Sequence, residues 1–404
     1  MSRILRASAA AMLAVAAIAP TLSAQRGAPV RRVISIGQHP RVDGIRLNYR
    51  DRELELVNGM NLTLWAPHEG YIGGRVNGVA VGLPLTAVGD ITGLSLGVFG
   101  VGAEDDMRGI GVAGVGLGAG GSVRGIHVAG IGIGAGNDLR GLAAGGIGVG
   151  AGGDIRGAAV GLIGAAAGGS VRGITVGGVG AGAGGNVRGL MVGGIGAGAG
   201  GNVRGAVVGG IGAGVGGDLR GLAYGTIGVG AGGSIRGITV AGVGAGAGGS
   251  IRGLTLAGVG VGSGGSIRGI TVGGVGVGAG GDINGITGSV IGVGSGGTVR
   301  WVTVAGLGLG APRIEGFAAA TMVGAERTHG VVIAPALFRT ERGGRMTGAS
   351  LSSINAIRGD QHGLSIGLVN YTRRLRGMQL GVINIVSERE GLGKVLPIVN
   401  FGRE

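Results

Sequence analysis

The sequence predicts an all-β chain, a parallel β-solenoid of 16-residue glycine-rich coils with divergent capping ends. Three observations carry that prediction. An arginine recurs at a fixed spacing of 16 from Arg108 to Arg300, and a strict period of this kind marks a solenoid, an array or a closed ring. Glycine supplies 107 of 404 residues, which argues against packed helices because each interior Gly costs about 1 kcal/mol relative to Ala. Hydrophobic residues make up 44% and the mean hydropathy is +0.49, which separates the chain from ordinary disorder. Collagen is excluded, since no Gly-X-Y period exists and only 8 residues are Pro. With no Cys, disulfide scaffolds and thiolate metal sites are excluded too.

In chain order, residues 1–24 read as a secretory signal. Arg3 and Arg6 form its basic start, Ala9–Ala19 its apolar stretch, and Thr21-Leu22-Ser23-Ala24 a small-residue end that places cleavage before Gln25. The apolar run is too short to span a bilayer as a helix. The mature chain is therefore expected in the cell envelope, at the outer membrane or cell surface or in the periplasm, or secreted. Residues 25–56 alternate polar and apolar residues and predict short introductory strands. Residues 57–107 hold divergent repeats, 108–312 the regular ones, and 313–404 divergent C-terminal repeats and a cap. End units are expected to be atypical because they close the core and block free edges.

The regular array is defined by Arg108, Arg124, Arg140, Arg156, Arg172, Arg188, Arg204, Arg220, Arg236, Arg252, Arg268 and Arg300, with Asn284 the one exception among thirteen positions. Its unit is represented by residues 250–265, Ser-Ile-Arg-Gly-Leu-Thr-Leu-Ala-Gly-Val-Gly-Val-Gly-Ser-Gly-Gly. One coil per unit, stacked at about 4.8 Å, gives a rod section of roughly 60 Å. The position before each Arg is aliphatic and is expected to point inward. Leu254 and Leu256 share one strand face, taken as the core face, with Thr255 outward. Val259, Val261 and Ser263 share a face of a second strand. About six aliphatic side chains per coil would then fill the interior. The turn Gly264-Gly265-Ser266 is expected to use glycine for positive φ, with Ser, Asn or Asp bonding the local backbone.

The Gly-φ-x-φ-Gly-φ-x-Asn units at 363–370 and 377–384, with Val-Asn-Gly near 57 and 76, resemble the bacterial surface-repeat proteins of the leptospiral type. The central Arg-Gly units depart from that pattern, carrying Ala-Gly-Val where the family has Gly-Leu-x-Asn. The resemblance implies an envelope or surface location and brings no catalytic residues.

Two candidate contact features emerge. The arginines form an outward ladder, a candidate stripe for acidic polysaccharide or lipopolysaccharide. Only Tyr224 and Trp301 are aromatic in this region, so stacking of nucleic-acid bases is not expected. Gly116, Gly132, Gly148, Gly164, Gly180, Gly196, Gly212, Gly228, Gly244, Gly260, Gly276, Gly292 and Gly308 form an outward smooth face, a candidate for self-association. Thr175, Thr239, Thr255, Thr271, Thr287 and Thr303 are read as a broken outward row with ordinary β-propensity. Gly-x-Gly-x-x-Gly at 244–249 lacks a following helix, and Arg358-Gly359-Asp360 is one more Arg-Gly pair in a chain full of them. His39, His68, His127, His329 and His362 have no metal-ligand spacing.

The expected function is that of a non-enzymatic exported envelope rod for structural or adhesive contacts, with no cofactor and no small-molecule substrate. The alternatives are an outer-membrane β-barrel, each 16-mer being one strand and a turn, and a polyanion-binding module using the arginines.

Overall fold

The computed structural model describes residues 33–65 and 72–402 and shows a rigid parallel β-solenoid of about 21 coils. The signal sequence 1–24 and His68 lie outside the described residues. Each regular unit is one coil made of a seven-residue and a four-residue strand, as in Val187–Gly193 and Gly196–Ala199. Every regular coil pairs in register with the next, residue i opposite i+16, so identical residues stack: Arg188 on Arg204, Gly189 on Gly205, Val192 on Val208. A 16-mer is thus a coil of two strands and not a barrel strand, and its neighbours are parallel where an up-and-down barrel needs antiparallel ones.

The bend that makes the coil lies immediately after each arginine. Gly109 through Gly285 hold φ between +119° and +135° at this position, a region that favours glycine. A Cβ on Gly189 would also lie 2.0 Å from the carbonyl oxygen of Gly173 in the coil below. Positive φ is therefore found here and not at Gly264-Gly265, where glycine serves close stacking instead: a Cβ on Gly264 would lie 2.3 Å from the Gly248 carbonyl oxygen. The same column continues through Gly44, Gly59, Gly78 and Gly93 upstream, and Gly316, Gly330, Gly348, Gly363 and Gly377 downstream. Trp301 alone interrupts it, between Gly285 and Gly316, at φ +82°.

Five positions per coil face the core, represented by Ile251, Thr255, Ala257, Val261 and Ser263, all buried. This corrects the expected facing. Leu254 and Leu256 point outward, as does Val259 at the corner, while the threonines at 175, 239, 255, 271, 287 and 303 point inward and are at most 2% exposed. The reason is backbone parity: counted from the inward Ile251, positions 255 and 257 turn in and positions 254 and 256 turn out, and the inward columns accept side chains from Ala to Ile, Leu and Met. Simple alternation from Ile251, carried straight through Gly253, gives the observed parity; grouping the most apolar residues together does not.

The corner side chains join coils rather than residues within one turn. The Asp154 N–H donates to Oδ1 of Asp138 at 3.0 Å, Asn202 N–H to Oδ1 of Asn186 at 2.8 Å, and Ser250 N–H to Oγ of Ser234 at 3.1 Å. Any short side chain with an acceptor oxygen suffices, which explains why Ser, Asn and Asp interchange there. At the C-terminal end this role passes to a buried amide ladder, Asn355 to Asn370 to Asn384, each Nδ2 donating to the next Oδ1 at 2.7 Å. The final strand, Val395–Gly402, runs antiparallel to Val369–Val386 and ends the parallel stacking. At the other end a buried Arg46 bonds Asp51 and Asn61, and Thr63 bonds Asp51, filling the lumen of the first coils with polar groups.

Candidate functional site

Going around one coil, the outer surface divides into three strips. The first holds the corner Ser, Asn or Asp and the arginine two residues later. All twelve predicted arginines stand on this one line, Arg108 stacked beneath Arg124 and so on to Arg268, with Arg300 beyond Asn284. Asp106, Asp138 and Asp154 pair with Arg108, Arg140 and Arg156 at 2.8, 2.8 and 3.1 Å, and Asp218 and Asp282 approach Arg220 and Arg300 at 3.7 and 3.8 Å. The backbone N–H of the next coil, then the neighbouring arginine, holds the Asp138 and Asp154 carboxyls below the usual carboxylate range. Among the described residues, Arg124, Arg172, Arg188, Arg204, Arg236, Arg252 and Arg268 make no ion pair. A narrow groove lined by Asn186, Arg188, Asn202, Arg204 and Arg220 runs between the corner and arginine ladders.

The second strip is aliphatic and was missed by the sequence reading, which placed its residues in the core. It contains the columns of Leu254, Leu256 and Val259. The last is aliphatic in every regular unit, from Val115 through Ile131, Ile163 and Ile195 to Leu307, and exposed throughout. From Val304 the Leu256 column continues beyond the regular array as Ala319 and Ile333, and later as Ile366 and Leu380. There it forms the wall of an apolar groove, closed on one side by Ile398 of the antiparallel strand.

The third strip is the glycine face. Gly116 to Gly308 stack in register, and their outward sides are open: around Gly214, Gly230, Gly246 and Gly262, one strand position further on, a Cβ would meet nothing within 4 Å. The arginine and glycine ladders therefore lie on opposite sides of the aliphatic strip.

No protein-family model, curated protein or solved structure matches the chain.

One buried group stands apart. His127 occupies the inward threonine column and is 1% exposed, and among the described residues neither ring nitrogen has a hydrogen-bond partner. The neighbours in its column are Gly111 and Ala143, and a Cβ on Gly111 would lie 2.5 Å from its Nδ1, so the ring fits because the residue below lacks one. Burial depresses its pKa.

Proposed function

We propose that the chain is an exported, non-enzymatic envelope protein, a rod whose outer strips make structural or adhesive contacts. The observation that supports this best is the unbroken in-register stack, which repeats each outward side chain at one spacing along the rod. A surface of this kind suits an extended or repetitive partner better than a small molecule, which needs a concave pocket with convergent polar groups. The location follows the leader and the resemblance of the 363–384 units to bacterial surface-repeat proteins. Small-angle scattering on the chain from Gln25, purified without detergent, tests the reading. A soluble elongated particle is expected; material that dissolves only in detergent and scatters as a squat cylinder overturns it.

The seven ladder arginines without a carboxylate favour a second reading, a stripe for acidic polysaccharide or lipopolysaccharide. At about 5 Å apart they lie within one Debye length of each other, so an anionic chain laid along them relieves their repulsion. Replacing Arg204, Arg220, Arg236 and Arg252 with Gln should shift elution from heparin to lower salt while leaving the fold intact. Unchanged retention removes this reading.

A further inference from the structure

The aliphatic strip is an extended apolar surface that the rod leaves uncovered. Ile163, Val179, Ile195, Ile211, Ile227 and Val243 of its outermost column are 44–55% exposed, and two further columns run beside them. Over twelve coil intervals of about 4.8 Å and a width of roughly 14 Å, the strip covers on the order of 800 Å². The largest apolar patch on a typical monomer is about 300–600 Å². One partner of a standard interface contributes about 800 Å².

From this we infer that the aliphatic strip is the interface of a closed homodimer in which two parallel rods pack strip to strip. The inference rests on the reading of the chain as a contact-making rod and names the partner as a second copy. Three observations select that partner. The area is that of a stable interface on each side. A second copy has the same coil spacing, so its rows can interdigitate with these along the whole length, as stacked identical side chains do in dry sheet interfaces. A bilayer is the other apolar partner, but membrane interfaces favour Trp and Tyr anchors, and within the regular array the strip's aliphatic columns carry Tyr224 alone, with Phe99 and Phe317 continuing them just outside.

Charge then fixes the direction. The arginine ladder bounds the strip on one side only. Antiparallel rods would bring the two ladders to the same edge; parallel rods, related by a two-fold axis along their length, put them on opposite edges. Repulsion between like charges selects the parallel arrangement. In it, each coil faces the same coil of its partner.

Sedimentation and light scattering on the chain from Gln25 should give a discrete dimer at micromolar concentration. Ile238→Lys with Ile270→Lys, both outward, should convert it to monomer with an unchanged far-ultraviolet spectrum. Gly214→Val with Gly230→Val, where a Cβ meets nothing within 4 Å, should leave the dimer intact. Because the chain has no cysteine, single Val128→Cys and Val272→Cys variants report direction. A bis-maleimide spanning about 10 Å, the separation of facing sheets, should link each variant to itself and should not link one to the other. A wild-type monomer, a dimer that survives the lysines, dissociation by the valines instead, open filaments, a monomer that floats with anionic vesicles, or cross-links only between the two cysteine variants would each overturn the inference. An elongated particle that is monomeric would overturn this inference and leave the rod reading standing.

Discussion

At the scale of single residues, the column of bend glycines is where the fold is least tolerant. Gly189 combines a φ of +133° with a would-be Cβ at 2.0 Å from a backbone oxygen, and backbone cannot move aside as a side chain can. Gly189→Ala is therefore expected to destabilise the rod by about 2–3 kcal/mol. Trp301 sits in the same column with its side chain 70% exposed, so it bears the cost of positive φ and recovers little burial in return. Trp301→Gly should stabilise the local coils by about 1 kcal/mol. Hydrogen exchange read coil by coil checks both, with opposite signs. His127 makes a pH prediction. Its folded pKa is below the ordinary value, so above about pH 6.5 both folded and unfolded forms are neutral and stability is full. As pH falls through about 6.5, the unfolded chain takes up a proton that the folded one refuses, and stability declines. His127→Thr, the residue most common in that column, should remove this acid-side loss; a melting temperature that falls equally in both proteins would contradict it.

At the scale of the coil, the period, the outward arginine, the inward residue before it and the outward glycine face were all legible in the sequence, because each is a strict positional identity. The facing of Leu254, Thr255 and Leu256 was not. Hydrophobicity assigns leucine to the interior, yet strand parity carried through the bend glycine turns positions 254 and 256 outward, and that the parity survives the bend is a property of the closed coil that no single unit displays. The corner residues were read as turn formers for the right chemistry, an acceptor oxygen near a backbone N–H, but the N–H belongs to the next coil. The candidate ladders were legible as positions, whereas the aliphatic strip became visible only once its residues were seen outside. Because contacts join adjacent coils, removing residues 188–203 should shorten the rod by one coil, about 4.8 Å. The excised chain should keep its fold and lose little in melting temperature. Removing eight residues instead leaves a half coil whose inward side chains cannot stack on either neighbour, and should lower the melting temperature far more than the sixteen-residue deletion; thermal melts followed by circular dichroism distinguish the two.

At the scale of the whole molecule, the rod is polarised from end to end. A buried charged cluster around Arg46 and Asp51 fills the first coils, and an antiparallel strand ends the last ones. The antiparallel strand changes what a next strand would meet, because the parallel template stops there. Between these ends, each junction holds a whole ring of backbone hydrogen bonds oriented along the rod. A tensile load applied along the rod axis to its two end coils would thus be shared by all bonds of a ring at once. A load applied to the chain termini would instead meet them one after another, peeling off a coil of 16 residues and releasing about 55 Å of extended chain per step. The same molecule is stiff when gripped by its end coils and unravels in even increments when gripped by its chain termini, so the way it is attached decides which of the two behaviours a cell would feel.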